Sequence, residues 1–324
     1  MSSGNISFVK DFFIVGFPGL QPEYYGVVAA LLLFAYVCIL VGNRKFIALF
    51  TLEKCLHKPM YYIILNLVVS DLLFSTTTLP KIIARYWFQA SSISFTGCFI
   101  QMYFVHYFGS VSSVILAIIV RAICNPLKCP NIVTKLNIFC LCLAAWVLTH
   151  ACPLMMAIRA YPLPYCAGNT IIHCYCDHIS ITSLACTDRA LYGVPAFGFA
   201  MVVLLSLLAF IVFSYCAIIV AVLRISTTQG RLKSFFTCSP QLIIIALYFL
   251  PRCFIYLSSN IGVNFSTDLR LVIIMLYSLF PPMINPLIYC LRTKGLRETL
   301  LKRIKVSMNP LFIPTKVNVS TVCV

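Results

Sequence analysis

Charge is what this sequence has least of. Only 10% of its 324 residues are charged, and acids are the scarcer sign, with 8 Asp+Glu against 24 Lys+Arg. A soluble domain devotes about a quarter of its residues to charge. A water-facing surface cannot be assembled from so few, which excludes a cytosolic enzyme and a disordered chain. Catalytic signatures are missing too: there is no HExxH, no Walker loop and no GxSxG, and the acids are scattered. The chain is therefore expected not to be an enzyme, and to need no cofactor and no metal. Repeats, linkers and low-complexity stretches are absent, which argues against a second domain. Residues 1–22 carry Lys10, Asp11 and Pro18 where a secretory signal would have a continuous apolar run. The first apolar segment is expected to act as its own anchor.

Apolar residues fill the space that charge leaves. They make up 61% of the chain, and mean hydropathy is +0.97. Long apolar segments lie near 24–43, 60–80, 97–120, 136–158, 192–223, 240–259 and 270–291, each about the length that crosses a bilayer as a helix. Backbone groups in hydrocarbon must pair internally, and the runs are continuous, unlike the alternating segments of a β-barrel. The reading is an all-α membrane protein, a seven-transmembrane helix bundle. Residues 1–23 form an N-terminal segment, 24–291 the seven-helix domain, and 292–324 a tail with a short amphipathic helix.

Basic residues orient the bundle. With the N-terminus outside, 17 of the 24 Lys and Arg fall in inner segments and the cytoplasmic tail. That bias is the positive-inside pattern, and it explains the net charge of +16 without any nucleic-acid partner. Anionic lipids of the inner leaflet would attract Lys302, Arg303 and Lys305. The acceptor triplet Asn5-Ile6-Ser7 then lies outside, as does Asn264-Phe265-Ser266, and Asn5 is the better glycosylation site.

Most of the 17 cysteines sit inside apolar runs, where Cys is a small hydrophobe. Cys98 at the outer end of span three and Cys166, Cys174, Cys176 and Cys186 in the loop after span four face an oxidising compartment. Spacing does not fix their connectivity. The expected pairs are Cys98–Cys176 and Cys166–Cys186, with Cys174 odd, so that the loop is drawn over the bundle as a lid. The run Cys174-Tyr175-Cys176-Asp177-His178 also resembles a metal site, but its setting favours disulfides.

Ionisable and polar groups inside spans are costly there and point to function. Asp71 lies mid-span, with Asn43 and Asn285 as plausible partners. This trio suits either a structural hydrogen-bond network or a sodium-binding, state-sensitive core. His106, Gly109, Ser110 and Ser113 recur at helical spacing on span three and read as a pocket wall. Met156, Phe199, Val203, Tyr248, Ile255 and Ser259 would complete a mainly apolar pocket.

Several motifs together resemble one family, the odorant receptors among rhodopsin-like G-protein-coupled receptors. They are Leu56-His57-Lys58-Pro59-Met60-Tyr61-Tyr62, Ser70-Asp71-Leu72-Leu73, Ala122-Ile123-Cys124-Asn125-Pro126-Leu127, Lys233-Ser234-Phe235-Phe236-Thr237-Cys238-Ser239 and Pro281-Pro282-Met283-Ile284-Asn285-Pro286-Leu287-Ile288-Tyr289. The run Cys98-Phe99-Ile100-Gln101-Met102 and the loop cysteine spacing look like the class I, fish-like type. The resemblance covers about residues 5–305. It implies a small-molecule odorant in a pocket under the lid and a plasma-membrane receptor in olfactory cilia. It also implies coupling to a stimulatory olfactory G protein that raises cyclic AMP. Arg121, Tyr215, Lys233 and Tyr289 would serve that coupling.

Three departures stand out. Before Ala122 the family carries a stretch like Met-Ala-Tyr-Asp-Arg-Tyr-Val, and this chain has only Ile118-Ile119-Val120-Arg121. Losing three helical residues rotates the downstream chain by about 300° and shortens the helix by about 4.5 Å. Arg121 then lacks its neighbouring carboxylate, which predicts impaired coupling. Arg44 and Lys45 follow Gly42-Asn43, so span one either ends early or lets both side chains snorkel. Arg252 follows Pro251 in span six, where a carboxylate ligand would need it to face the pocket. A channel or transporter is the competing class, but the charge rings or inverted repeats it would need are not visible.

Overall fold

The computed structural model describes residues 9–124, 134–187, 227–261 and 265–292, with scattered helical positions between 198 and 220. Its helices are α1 (Tyr25–Leu52), α2 (Pro59–Trp87), α3 (Phe95–Cys124), α4 (Lys135–Leu148), α5 (Ala151–Ala160), α6 (His178–Thr182), α7 (Thr228–Ile261) and α8 (Thr267–Arg292). Short strands are β1 (Asp11–Ile14), β2 (Ser92–Ser94) and β3 (Thr170–Ile171). Among the described residues, five stretches are long and apolar enough to cross a membrane: Pro22–Leu52, Pro59–Trp87, Phe95–Val120, Lys135–Ala160 and Thr267–Tyr289. Within α7, Ile243–Ile255 is a shorter apolar stretch. The segment expected at 192–223 lies largely outside the described residues.

The helices form for different local reasons. Pro59 occupies the first turn of α2, where its missing N–H costs nothing, and Lys58 before it is extended. Thr134 caps α4 by accepting from Asn137 N. Up to Val41, helix α1 is apolar on nearly every face, as a lipid-exposed helix must be. Its buried stripe, Ala29, Leu32, Ile39, Asn43, Phe46 and Phe50, recurs at helical spacing. Val27, Leu31, Phe34 and Val41 on the other faces are exposed. Helix α3 is the most buried span, and its flank packs on α2.

Two departures take definite form here. Helix α1 does not stop at Asn43 but runs through to Leu52, and it carries both cations, Arg44 and Lys45, on its exposed side, away from the buried stripe. Helix α3 also continues unbroken through Ile118–Arg121 to Cys124, so the shortened stretch is accommodated as helix.

One end of the bundle carries a lid that apolar periodicity over 1–23 does not foretell. Strand β1 pairs antiparallel with β2 (Phe12 opposite Ile93) and parallel with β3 (Phe13 opposite Thr170), giving the order β2-β1-β3. Phe12 and Ile14 point into the protein, fully buried, and the Phe12 ring meets Phe95 and Tyr165 at 5.6 and 5.7 Å. Burial alternates along Asp-Phe-Phe-Ile with a period of two, although the residue types do not, since the apolar Phe13 is exposed. Arg85 Nε donates to Ile14 O at 3.2 Å, and Tyr86 Oη accepts from Phe17 N at 2.7 Å. Gly16 is required beside this bond. Its φ is +74°, and a Cβ there would fall 2.2 Å from Tyr86 Oη.

Replacing Phe12 with Ala should destabilise the lid by about 3 kcal/mol, since a filled core site becomes a cavity. Phe13→Ala, at a position 40% exposed, should be near neutral. Thermal unfolding of the solubilised protein distinguishes the two.

Candidate ligand site beneath the lid

Two disulfides hold the lid, Cys98–Cys176 and Cys166–Cys186. The first ties the loop to the start of α3, and Cys176 N donates to Gln101 Oε1 at 3.0 Å one turn further in. Cys174 remains a buried free thiol. Burial, reinforced by Asp268, pushes its pKa up to about 12.

Directly after the tethered cysteine, Asp177 caps α6 by accepting from Ile179 N at 3.1 Å. It also faces α3, where its Oδ1 lies 3.5 Å from His106 Nε2. That separation is too long for a good hydrogen bond, and His106 Nε2 is buried without a hydrogen-bond partner. Such a polar atom under a lid is a ready donor or acceptor for a ligand.

The predicted stripe on α3 meets α7 at this level. Ser110 and Ser113 donate back to His106 O and Gly109 O, at 2.8 and 2.7 Å. Tyr248 Oη on α7 donates to the same Gly109 carbonyl at 2.7 Å and lies 3.2 Å from Ser113 Oγ. Arg252 turns inward. Its Nη1 donates to Tyr248 Oη at 3.3 Å, and its guanidinium sits over the rings of Tyr248 and of Tyr277 on α8. Gly109 makes room for it: a Cβ there would come within 3.2 Å of Arg252 Nη2. Helices α3, α7 and α8 and the lid thus converge on one polar floor.

Not every expected lining residue joins it. Ile255 is buried on α7. Met156 is buried on α5, where Cys152 Sγ lies 3.8 Å from its Sδ, and it takes no part in the stripe's hydrogen bonds. Phe199 and Val203 lie outside the described residues, as does Asn5. So do the side chains of Ser259, Arg121 and Lys233. Tyr215 is buried, and Tyr289 is buried near the end of α8 away from Asp268 and the lid. Sequence reasoning misses Tyr277 on the floor and takes Asp177 and His178 only as part of a metal-like run, not as residues set against span three. The available signal is position: Asp177 and Tyr175 flank the cysteine that the disulfide brings onto α3.

The polar core sits deeper. Asn285 Nδ2 donates to Asp71 Oδ2 at 2.7 Å. Asn43 does not bond Asp71; its Nδ2 donates to Ile39 O at 2.8 Å and Pro282 O at 3.0 Å. The reason lies in α8. Pro286 has no N–H to offer the carbonyl four residues back, so Pro282 O needs a partner from another helix. Trp146 Nε1 similarly donates to Asn66 Oδ1 at 2.8 Å and fastens α4 to α2.

The arrangement offers a cation, an imidazole nitrogen that makes no hydrogen bond and several aromatic faces in a confined space. Among the described residues no group of three His, Cys, Asp or Glu is placed to hold a metal. Within Cys174–His178, Cys176 is bonded to Cys98 and Asp177 serves the helix cap.

The class of protein follows from this lidded bundle with its polar interior. Squid rhodopsin superposes on it with a TM-score of 0.66 at 17% identity, covering 93% of each chain. The fold is that of the seven-helix, rhodopsin-like bundle. The particular family follows from sequence. The olfactory receptor family model matches residues 32–306. Olfactory receptor 52K1 of Homo sapiens is 32% identical over 299 residues, covering 90% of this chain and 93% of that one. Olfactory receptor 1E16 of Mus musculus is 33% identical over 316 residues, covering 95% and 100%. This chain belongs to the olfactory receptor family: it is a multi-pass membrane receptor for small-molecule odorants acting through a G protein, not an enzyme.

The lid should loosen in acid. Burial foremost, then His106, lowers the His178 pKa from its ordinary 6.5 to about 4, with Asp177 opposing. Burial lowers His173 as well. For Asp177, burial alone would raise the pKa, but His173, His106 and His178 together hold it below the usual carboxylate range. A histidine with a depressed folded pKa takes up its proton more readily when unfolded, so its stabilising share is complete above the unfolded value and declines as pH falls. Thermal stability should drop between about pH 6.5 and about pH 4, and His178→Asn should flatten that slope.

Proposed function

We propose that the protein sits in the plasma membrane with the lid outside and binds odorants between α3, α7 and α8. The positive-inside distribution of Lys and Arg supports this orientation, with 1–23 extracellular, 24–291 the membrane domain and 292–324 cytoplasmic. The observation that carries the ligand reading is the inward turn of Arg252 on the floor that holds His106, whose Nε2 faces Asp177 at 3.5 Å but makes no hydrogen bond. A cation and a polar ring nitrogen suit a compact odorant with a carboxylate or carbonyl head and an apolar body. His106, Gly109, Ser110, Ser113, Tyr248 and Ile255 form the wall, with Met156, Phe199, Val203 and Ser259 as further lining. An odorant activates only by binding one arrangement of the bundle better than the other. Asp71, Asn285 and Asn43 are the state-sensitive core between pocket and G protein, and Arg121, Tyr215, Lys233 and Tyr289 serve the G-protein face. The partner is the stimulatory olfactory type that raises cyclic AMP, in olfactory cilia, and Asn5 carries a glycan.

A second reading rests on one observation. Ile118-Ile119-Val120-Arg121 lacks the acid and the Tyr-Val of the family stretch, so the chain binds odorant but couples poorly.

Cyclic AMP in cells co-expressing the olfactory G protein, read against a panel of water-soluble odorants, tests both. A response from the chain as written supports full function. A response only after Asp-Arg-Tyr is restored around Arg121 supports the second reading. In whichever chain responds, Arg252→Gln should weaken carboxylate odorants by at least about tenfold, the weight of one charge-assisted contact. It should leave uncharged odorants little changed. Silence from both chains at good surface levels leaves the odorant unknown and moves weight toward the other classes.

A further inference from the structure

Helix α8 has two working faces. One carries Tyr277 and Ser278 toward the polar floor. The other, with Asp268, Met275, Leu276, Leu279 and Met283, turns toward α1 and borders a groove of about 630 Å³. Phe17, Gly19 and Leu20 roof the groove at the lid end, and Leu31 and Leu32 of α1 form its far wall. Leu31 and Leu276 are 63% and 57% exposed, so the groove opens sideways to where lipid would be. Its volume is that of a small-molecule site.

The lining is apolar with one exception. Asp268 sits at the lid end, and both its oxygens accept from the single N–H of Gly19, at 3.2 and 3.1 Å. Gly19 permits that closeness, since a Cβ there would lie 2.3 Å from Asp268 Oδ2. Among the described residues, no cation lies within ion-pair distance of this carboxylate. An ionised carboxylate accepts at about four positions, so acceptor sites remain open toward the groove.

We propose that this groove is a second binding site, separate from the pocket under the lid, for an amphiphile with one ammonium group and a single apolar chain, such as a long-chain primary amine. The ammonium docks on Asp268 and the chain lies along Leu31, Leu32, Leu276 and Met283. Charge complementarity selects this occupant. A phospholipid would bring its phosphate to a lining that holds no Lys, Arg or His. A sterol or alcohol would leave the half-exposed carboxylate to water and gain no charge-assisted contact from it. The site does not depend on the odorant reading, because its face of α8 and its acid are not shared with the polar floor.

The test uses the full chain in phosphatidylcholine nanodiscs, labelled with a diazirine derivative of dodecylamine. Label should appear in peptides of α1 and α8 around Leu31 and Leu276. Dodecylamine should displace it at about tenfold lower concentration than dodecanol, the difference expected of a charge-assisted contact. Asp268→Asn should erase that difference. Leu276→Trp, which leaves the Asp268–Gly19 contact intact, should remove the label itself. Equal displacement by amine and alcohol, stronger displacement by cholesterol, or label elsewhere in the bundle would each overturn the proposal.

Discussion

The covalent tie between Cys98 and Cys176 is the constraint on which the upper half of this receptor depends. It closes a loop of 78 residues in sequence onto the first turn of α3. Everything at the ligand end is referenced to that point. Gln101 receives the Cys176 N–H, Asp177 is set over His106, and β3 is brought within reach of β1. The N-terminal strand then closes the sheet from the other side by packing Phe12 on Phe95 and Tyr165. A lid of three short strands would be marginal in isolation. Here it is stable because disulfides and buried aromatics hold it to the helices.

Below the lid the governing rule is different. In hydrocarbon no water is present to satisfy a stray carbonyl, so each helix irregularity must be answered by another helix. Helix α8 contains Pro281, Pro282 and Pro286, and Asn43 of α1 supplies the donor that Pro286 withholds from Pro282. Asn285 meanwhile engages Asp71. Proline positions and side-chain amides therefore pin α1, α2 and α8 together at one level. A rearrangement of α8 has to exchange these bonds, which is the kind of discrete element a two-state receptor requires.

Much of this is legible in the sequence, and the gaps have physical reasons. Long apolar runs announce membrane helices because nothing else satisfies their backbone, and α2, α3 and α8 fall where those runs lie. Helix α1 runs past Asn43 because two cations set away from the buried stripe do not break a helix. The lid strands are not legible. Four residues without alternating residue types carry little signal, and their pairing is decided by disulfides and by Tyr86 and Arg85, far away in sequence. Arg252 stands out as a cation in a span, but only packing against Tyr248, Tyr277 and the bare backbone of Gly109 shows which way it turns. Sequence alone suggests Asn43 as a partner of Asp71, whereas the Pro282 carbonyl, left without a donor by Pro286, claims its amide.

In the proposed reading the lid, through Cys98–Cys176, builds the ligand site, and one comparison tests this most directly. Odorant-evoked cyclic AMP per receptor at the cell surface is measured for two paired variants, Cys98→Ser/Cys176→Ser and Cys166→Ser/Cys186→Ser. The first should lose the response of the receptors that reach the surface, while the second, whose bridge lies within the loop, should keep most of it. An undiminished response per surface receptor in the first variant would contradict the role given to the bridge.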